Sequence, residues 1–133
     1  MRIDLGVPIE FSAPLSIYHR SEHRVGKYGA IGTIRYSCVD GTPEDRDGVL
    51  VYVKPAFYGN EPRDIYNYAQ TSAAFPHEST ADQFFSEAQF ESYRALGYYI
   101  ASQVFGSGPR ATTATLVQRA QDYLQAPASG APP

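Results

Sequence analysis

Two short runs rich in β-branched and aromatic residues constrain the fold of this chain more than any other feature. They read AIGTIRYSCV from Ala30 and GVLVYVKP from Gly48, and Pro55 ends the second run. Between them lies VDGTPEDRD, whose Asp-Gly pair, proline and four acids are typical of turns and loops. Two strands separated by a short loop pair most simply with each other. The sequence therefore predicts an antiparallel β-hairpin.

Both faces of the second run are apolar. Val49, Val51 and Val53 alternate with Leu50 and Tyr52, so the two sets point to opposite sides of a strand. A strand of this kind is normally covered on both faces. We therefore expect something to pack on each side of the hairpin.

The N-terminal residues 1–28 are predicted to form an extended arm. Their apolar residues occur in short clusters that Gly6, Pro8 and Pro14 interrupt, which suits extended structure better than a helix. The arm can supply a third strand to the hairpin. Charged residues interrupt its apolar positions, so we expect no secretory signal peptide.

Helices are predicted after the hairpin. A short helix begins at Pro62 and continues to about residue 69, because proline suits the first turn of a helix. A long helix covers 81–104 and ends before the Gly-Ser-Gly-Pro stretch that starts at Gly106. A last helix covers about 111–124.

These elements predict an α+β fold whose main module is residues 29–104. An antiparallel β-hairpin or small sheet packs against one long and one or two short helices. Region 105–124 contributes the C-terminal helix, and the small-residue, Pro-rich tail 125–133 is predicted to be disordered. The chain has 133 residues, of which 43% are hydrophobic, and this is enough for the core of one domain.

Charge and cysteine content exclude several kinds of partner. The net charge is −3 and no basic block occurs, so we expect no nucleic-acid partner. Cys38 is the single cysteine and fits a reducing, cytoplasmic compartment. His19 and His23 have the spacing of a metal pair but lack a third ligand nearby, so we expect no metal site and no cofactor. No apolar run is long enough to cross a bilayer.

The long helix has clear start signals. Ser79 and Thr80 are candidate N-cap residues, and Asp82 and Gln83, three residues further on, complete possible capping boxes. We therefore place the start of the helix at about residue 81.

The long helix carries aromatic residues on more than one side. A rotation of about 100° per residue places one apolar set within a sector of about 120°. This predicted core face consists of Phe84, Phe85, Ala88, Ala95, Leu96 and Tyr99. A separate polar stripe consists of Gln83, Glu87, Glu91 and Arg94, in which Arg94 can reach Glu91. Phe90 and Tyr93 lie off the core face, so we expect another surface to cover them.

Three segments of the chain resemble the C-terminal part of bacterial patatin-like phospholipase proteins. They are YGAIGTIRY at 28–36, LVYVKPAFYGNEPRDIYNYA at 50–69 and FPHESTADQFFSEAQFESYRALG at 75–97. In that family a strand ending in Tyr-x-Lys-Pro and a Phe-Pro-His-x-Ser-Thr helix follow the catalytic region. The resemblance covers about residues 28–97.

The catalytic parts of that family are missing from this sequence. Patatin-like enzymes are Ser-Asp lipid acyl hydrolases with a Gly-x-Ser-x-Gly elbow, a glycine-rich oxyanion turn and an Asp-Gly-Gly or Asp-Gly-Ala turn. None of these occurs here. His77, Glu78 and Ser79 are consecutive at a predicted helix start and point in different directions, so we expect no catalytic group among them.

The resemblance implies a non-catalytic C-terminal module that completes or covers a patatin-type catalytic domain in the same or another chain. The parent protein would hydrolyse lipid acyl esters, and it could contact membrane lipid. In this interpretation Leu50, Tyr52, Phe90 and Tyr93 form the contact surface. Polar contacts that position the long helix come from His77, Asp82, Gln83, Glu87 and Arg94.

A second hypothesis treats the chain as a free-standing small binding or regulatory domain. It would form a homodimer through the same exposed aromatic residues. The oligomeric state in solution separates the two hypotheses.

Overall fold

A computed structural model describes residues 6–41, 43–79, 81, 83–108 and 111–127. The fold is α+β, as predicted. Its strands are β1 (Ile9–Phe11), β2 (Gly29–Ile34) and β3 (Gly48–Val53), and its helices are α1 (Ser37–Asp40), α2 (Arg63–Thr71), α3 (Glu87–Phe105) and α4 (Thr113–Gln125). Single 3₁₀ turns occur at Arg20–Glu22 and Glu44–Arg46.

The predicted hairpin is present, and the arm adds a strand to it. The strand order is β1-β2-β3, and both pairs are antiparallel. Ile9 lies opposite Ile34, and Gly29 lies opposite Val53. A Cβ atom on Gly29 would lie 2.5 Å from the carbonyl oxygen of Tyr52, so this close approach of the two strands requires glycine.

The first strand of the hairpin ends earlier than predicted. It stops at Ile34, and Ser37–Asp40 forms one helical turn instead of continuing the strand. The carboxylate of Asp47 accepts hydrogen bonds from the Ser37 backbone N–H at 2.8 Å and from the Ser37 hydroxyl at 3.0 Å. Arg35 reaches the same carboxylate at 3.2 Å. These contacts close the loop and bend the chain away from the sheet.

The hydrophobic core lies between the sheet and the helices. Its buried members come from the residue before β2, the segments that follow β3 and α2, and the helices, namely Tyr28, Ala56, Phe57, Ile65, Ala69, Phe75, Leu96, Ile100, Val104 and Ala120. From the sheet, Ile31 and Val51 lie opposite each other and pack against this cluster. Leu50 is half-buried, whereas Val49, Tyr52 and Val53 are exposed. The expectation that both faces of β3 are fully covered is therefore wrong for the described residues.

The long helix starts later than predicted. Its N-cap is Ser86, whose hydroxyl accepts a hydrogen bond from the backbone N–H of Gln89 at 3.2 Å. The start at residue 81 is therefore wrong. Ser79 caps only a local turn, in which its hydroxyl accepts from Ala81 N–H. The predicted cap Thr80 and its partner Asp82 lie outside the described residues.

The buried face of α3 also differs from the predicted one. Its fully buried residues are Gln89, Leu96, Ile100 and Val104. Of the predicted core face, Phe84 and Phe85 precede the helix and are exposed, Ala88 is exposed, Ala95 and Tyr99 are half-buried, and only Leu96 is buried. The real face is rotated by about a quarter of a turn, so Tyr93 lies toward the core.

The shorter helices agree with the sequence analysis. Pro62 is the N-cap of α2, and Thr112 caps α4 with its hydroxyl accepting from Thr115 N–H. α4 packs on α3 and on β2. The predicted disordered tail falls mostly on residues 128–133, which lie outside the described part of the chain.

Candidate functional site

An open cleft surrounded by aromatic residues lies at the N-terminal end of α3. Its volume is about 360 Å³, and its lining is mostly apolar. The residues around it, here called the aromatic cleft, are Pro76, Glu78, Ser79, Phe85, Phe90 and Tyr93. Phe90 is 61% exposed and Phe85 is 56% exposed. Exposed phenylalanines this close together are typical of a contact surface.

The chain folds back over the first turns of α3 to build this cleft. Phe75 is fully buried, and its ring meets that of Tyr93 edge-on with centroids 5.0 Å apart. Tyr93 is therefore half-buried in the wall of the cleft, whereas Phe90, one turn earlier, points outward. Of the two predicted contact aromatics on the long helix, Phe90 is therefore the accessible one.

Glu78 forms the polar floor of the cleft. The hydroxyls of Tyr68 and Ser72 donate to one carboxylate oxygen, and Gln89 Nε2 donates to the other at 2.7 Å. The backbone N–H of Glu78 donates to the Tyr93 hydroxyl at 3.4 Å. Burial raises the pKa of this carboxyl, but hydrogen bonds led by those from Ser72 and Gln89 outweigh it, so the pKa is lowered.

The Glu78 hydrogen bonds position the long helix, a role that was predicted for His77, Asp82, Gln83, Glu87 and Arg94. They join α2, the segment before α3 and α3 itself through one carboxylate. The buried Gln89 is fixed by it, and this contact orients the helix. The sequence did not indicate that Glu78 holds these elements together. A signal was available for the helix start, because Ser86-x-x-Gln89 is a second capping pattern and marks the residue at which α3 begins.

The residues predicted to position the long helix form fewer contacts than Glu78 does. His77 is exposed, and its ring stacks on that of His19 with centroids 5.6 Å apart. Partial burial, Lys54 and His19 lower the pKa of His77. Gln83 is exposed and precedes α3. Asp82 lies outside the described residues.

The polar stripe of α3 lies in solvent. Glu87 is the exposed first residue of the helix. Arg94 forms the predicted ion pair with Glu91, with Nε 2.7 Å from the carboxylate. Both partners are more than half exposed, so the pair contributes little to stability.

The remaining predicted contact residues, Leu50 and Tyr52, lie elsewhere. They belong to β3, opposite Gly32 and Ala30 of β2. No residue of β3 lines the aromatic cleft. The structure therefore separates the predicted contact surface into two parts, the cleft and the β3 strand.

A second carboxylate network lies on the other side of the core. Glu61 is 6% exposed and accepts hydrogen bonds from the Tyr28 hydroxyl at 2.7 Å and from the backbone N–H groups of Tyr58 and Gly59 at 2.8 Å each. Burial, followed by the contact with Glu61, strongly raises the pKa of Tyr28. Because Tyr28 remains protonated, it acts as a donor and holds β2 to the 58–61 turn.

Lys27, next to Tyr28, fastens α4 to the same region. Its ammonium group donates to the carbonyl of Tyr123 at 2.8 Å and lies 4.5 Å from the centre of the Tyr123 ring. The Tyr123 hydroxyl accepts from Tyr28 N–H at 3.1 Å. Desolvation lowers the pKa of Lys27. These contacts attach α4 to the residues that precede β2.

The described residues contain no group of three or more metal-ligating side chains. His77, Glu78 and Ser79 make no hydrogen bonds to one another in the structure, and the Glu78 carboxylate accepts hydrogen bonds from Tyr68, Ser72 and Gln89 instead. Within the part of the chain that the structure describes, none of the helices is both long and apolar enough to cross a membrane.

The chain matches no protein-family model, no curated protein and no solved structure. The resemblance to patatin-like proteins therefore stays a prediction from the sequence motifs.

Proposed function

We propose that this chain is a non-catalytic docking module that binds another protein domain through the aromatic cleft. The observation that supports this most is the exposure of Phe85 and Phe90 beside an apolar cleft, at the end of a helix that is otherwise well anchored. The Glu78 network supports the same conclusion, because it holds the cleft walls in place before a partner arrives.

The partner we propose is the catalytic domain of a patatin-type lipid acyl hydrolase, in the same or another chain. The support for this partner is the resemblance of residues 28–97 to the C-terminal part of such proteins. In the complete assembly the catalytic domain would supply the serine nucleophile and bind the lipid. The present chain would complete or cover that domain.

Calorimetric titration of the chain with a purified patatin-type catalytic domain tests the proposal. We expect binding, and we expect Phe90→Ser to weaken it by about tenfold or more because a buried aromatic anchor is lost. The matched control is Tyr98→Ser, since Tyr98 is an aromatic residue of α3 that is also exposed but does not line the cleft. Equal effects of the two variants, or no binding by the wild-type chain, would contradict the proposal.

An activity assay adds a second check. The chain alone should hydrolyse a short-chain ester no faster than buffer does. Turnover by the purified chain above that of buffer would contradict the non-catalytic part of the proposal.

A further inference from the structure

We propose that the outer edge of β3 pairs with the same edge of a second copy, antiparallel and across a two-fold axis. The two sheets would then join into one continuous sheet of twice the strand number. This self-association uses a surface distinct from the aromatic cleft and does not depend on the proposed docking function.

The direction of the backbone groups of β3 carries the inference. The N–H of Lys54 donates to the carbonyl of Tyr28 at 2.8 Å, and the register places these two residues directly opposite each other. In an antiparallel ladder, bonded and non-bonded pairs alternate along the strand. The backbone groups of Leu50 and Tyr52 therefore form hydrogen bonds with β2. The backbone N–H and carbonyl groups of Val49, Val51 and Val53 point away from β2, toward the open edge of the sheet. None of these outward groups bonds a described residue.

The edge lacks the features that normally prevent strand pairing. Gly48–Val53 contains no proline and no charged residue, and its register with β2 is unbroken, without a bulge. Val49 is 54% exposed, and Tyr52 and Val53 are also exposed. A regular, uncharged strand of six residues with free backbone groups is a template for another strand.

We take a second copy of the chain as the partner strand, because its own β3 edge presents the same outward backbone groups. In a two-fold antiparallel pair one residue faces its own counterpart, and the outward groups require odd-numbered residues to face odd-numbered residues. Val51 is the middle one of the three outward residues, so placing it on the axis lets all three pair with outward residues of the other copy. With Val51 on the axis, Val49 faces Val53 of the other copy and Leu50 faces Tyr52. Each opposing pair is then apolar, and β-branched and aromatic pairs of this kind stabilise sheets.

The charges at the two ends of β3 agree with this arrangement. The acidic turn at 44–47 precedes the strand, and Lys54 follows it. Antiparallel pairing brings the Lys54 end of one copy next to the acidic turn of the other. Lys54 forms no ion pair with the described residues of its own chain. Asp47 is buried against Arg35, whereas the Glu44 side chain is 83% exposed and lies 3.9 Å from Arg35, so Glu44 is the carboxylate that Lys54 of the other copy can reach.

A charge-swap experiment tests both the surface and the register. We expect the wild-type chain to be dimeric by sedimentation. The variants Val49→Lys with Val53→Lys and Val49→Glu with Val53→Glu should each dissociate, with the dissociation constant raised by about tenfold or more, because like charges then face each other. A one-to-one mixture of the two variants should form a heterodimer. Phe90→Ser, in the aromatic cleft, should remain dimeric.

Amide hydrogen exchange of the wild-type chain gives an independent readout that needs no variant. The Leu50 and Tyr52 amides should be protected at every concentration, whereas those of Val49, Val51 and Val53 should gain about tenfold protection as the dimer forms. A monomeric wild-type chain, a dimer abolished by Phe90→Ser, or odd-numbered amides that never gain protection would each overturn the proposal.

Discussion

Glu61 and Glu78 are both carboxylates that lose contact with water and are stabilised by hydrogen bonds, but their donors differ. Each carboxylate is removed from solvent to some degree, and neither forms an ion pair with a described residue. Glu61 takes two of its hydrogen bonds from backbone groups two and three residues away. Glu78 takes its bonds from side chains on α2, the following segment and α3.

The difference indicates which region is rigid by itself and which depends on tertiary packing. The Glu61 network builds a local turn and adds one long-range donor, Tyr28. The Glu78 network exists only when α2 and α3 are already side by side. The aromatic cleft lies next to the second network, so its geometry should respond to changes that leave the Glu61 side of the molecule intact.

Glu61→Ala should have the largest effect on stability. It removes the acceptor of two partly buried backbone N–H groups and the nearer acceptor of the Tyr28 hydroxyl, which keeps only the 3.3 Å contact with Asn60 Oδ1. This loss should reduce the free energy of unfolding by about 3 kcal/mol. Urea denaturation followed by circular dichroism measures the change. Glu87→Ala, at an exposed carboxylate, is the matched control and should change it by less than about 0.5 kcal/mol. Similar losses in both variants would show that the Glu61 contacts are not formed.

Glu78→Ala should destabilise the protein by a smaller amount, about 2 kcal/mol, because this site is more open to water and its donors are side chains that can turn to solvent. A double-mutant cycle with Gln89→Ala should give a coupling of about 1 kcal/mol. Strictly additive losses would contradict a direct contact between the two side chains.

The comparison also explains how much of this molecule could be predicted from the sequence. The hairpin, the added strand of the arm, α2 and α4 follow from local signals such as turn residues, capping residues and proline. The start of α3 does not, because Ser79 and Ser86 both begin acceptable capping patterns. The contact between Glu78 and Gln89 decides between them, and it depends on the tertiary fold.

The two carboxylate networks could not be predicted for a related reason. Tyr28 and Glu61 are separated by 33 positions, and no local pattern indicates which of the 11 tyrosines reaches which acid. The same limit applies to the predicted contact surface. Periodicity placed Phe90 and Tyr93 off the core face, and the docking interpretation added Leu50 and Tyr52 to them. Packing instead turns Tyr93 toward Phe75 and leaves β3 on a different surface.

The contribution of Glu78 to stability should depend on pH, and comparing the wild type with Glu78→Gln isolates it from the other titrating groups. The pKa of Glu78 is lower in the folded chain than its ordinary value of 4.5. Its contribution is therefore complete above pH 4.5 and is lost as the pH falls through the folded pKa. The difference in unfolding free energy between the wild type and Glu78→Gln should therefore shrink on acidification. A constant difference from pH 6 to the acid limit of folding would contradict the lowered pKa.

Phe90→Ser should have the smallest effect on stability, although it should have the largest effect on docking. Phe90 is exposed, so its replacement should change the free energy of unfolding by less than about 0.5 kcal/mol. Phe75→Ala, on the buried side of the same cleft, should lower it by about 3 kcal/mol or more, because it leaves a cavity against Tyr93. Thermal unfolding of the two variants measures the contrast. If Phe90→Ser destabilised the chain as much as Phe75→Ala, Phe90 would belong to the core of the monomer and would not be available to a partner.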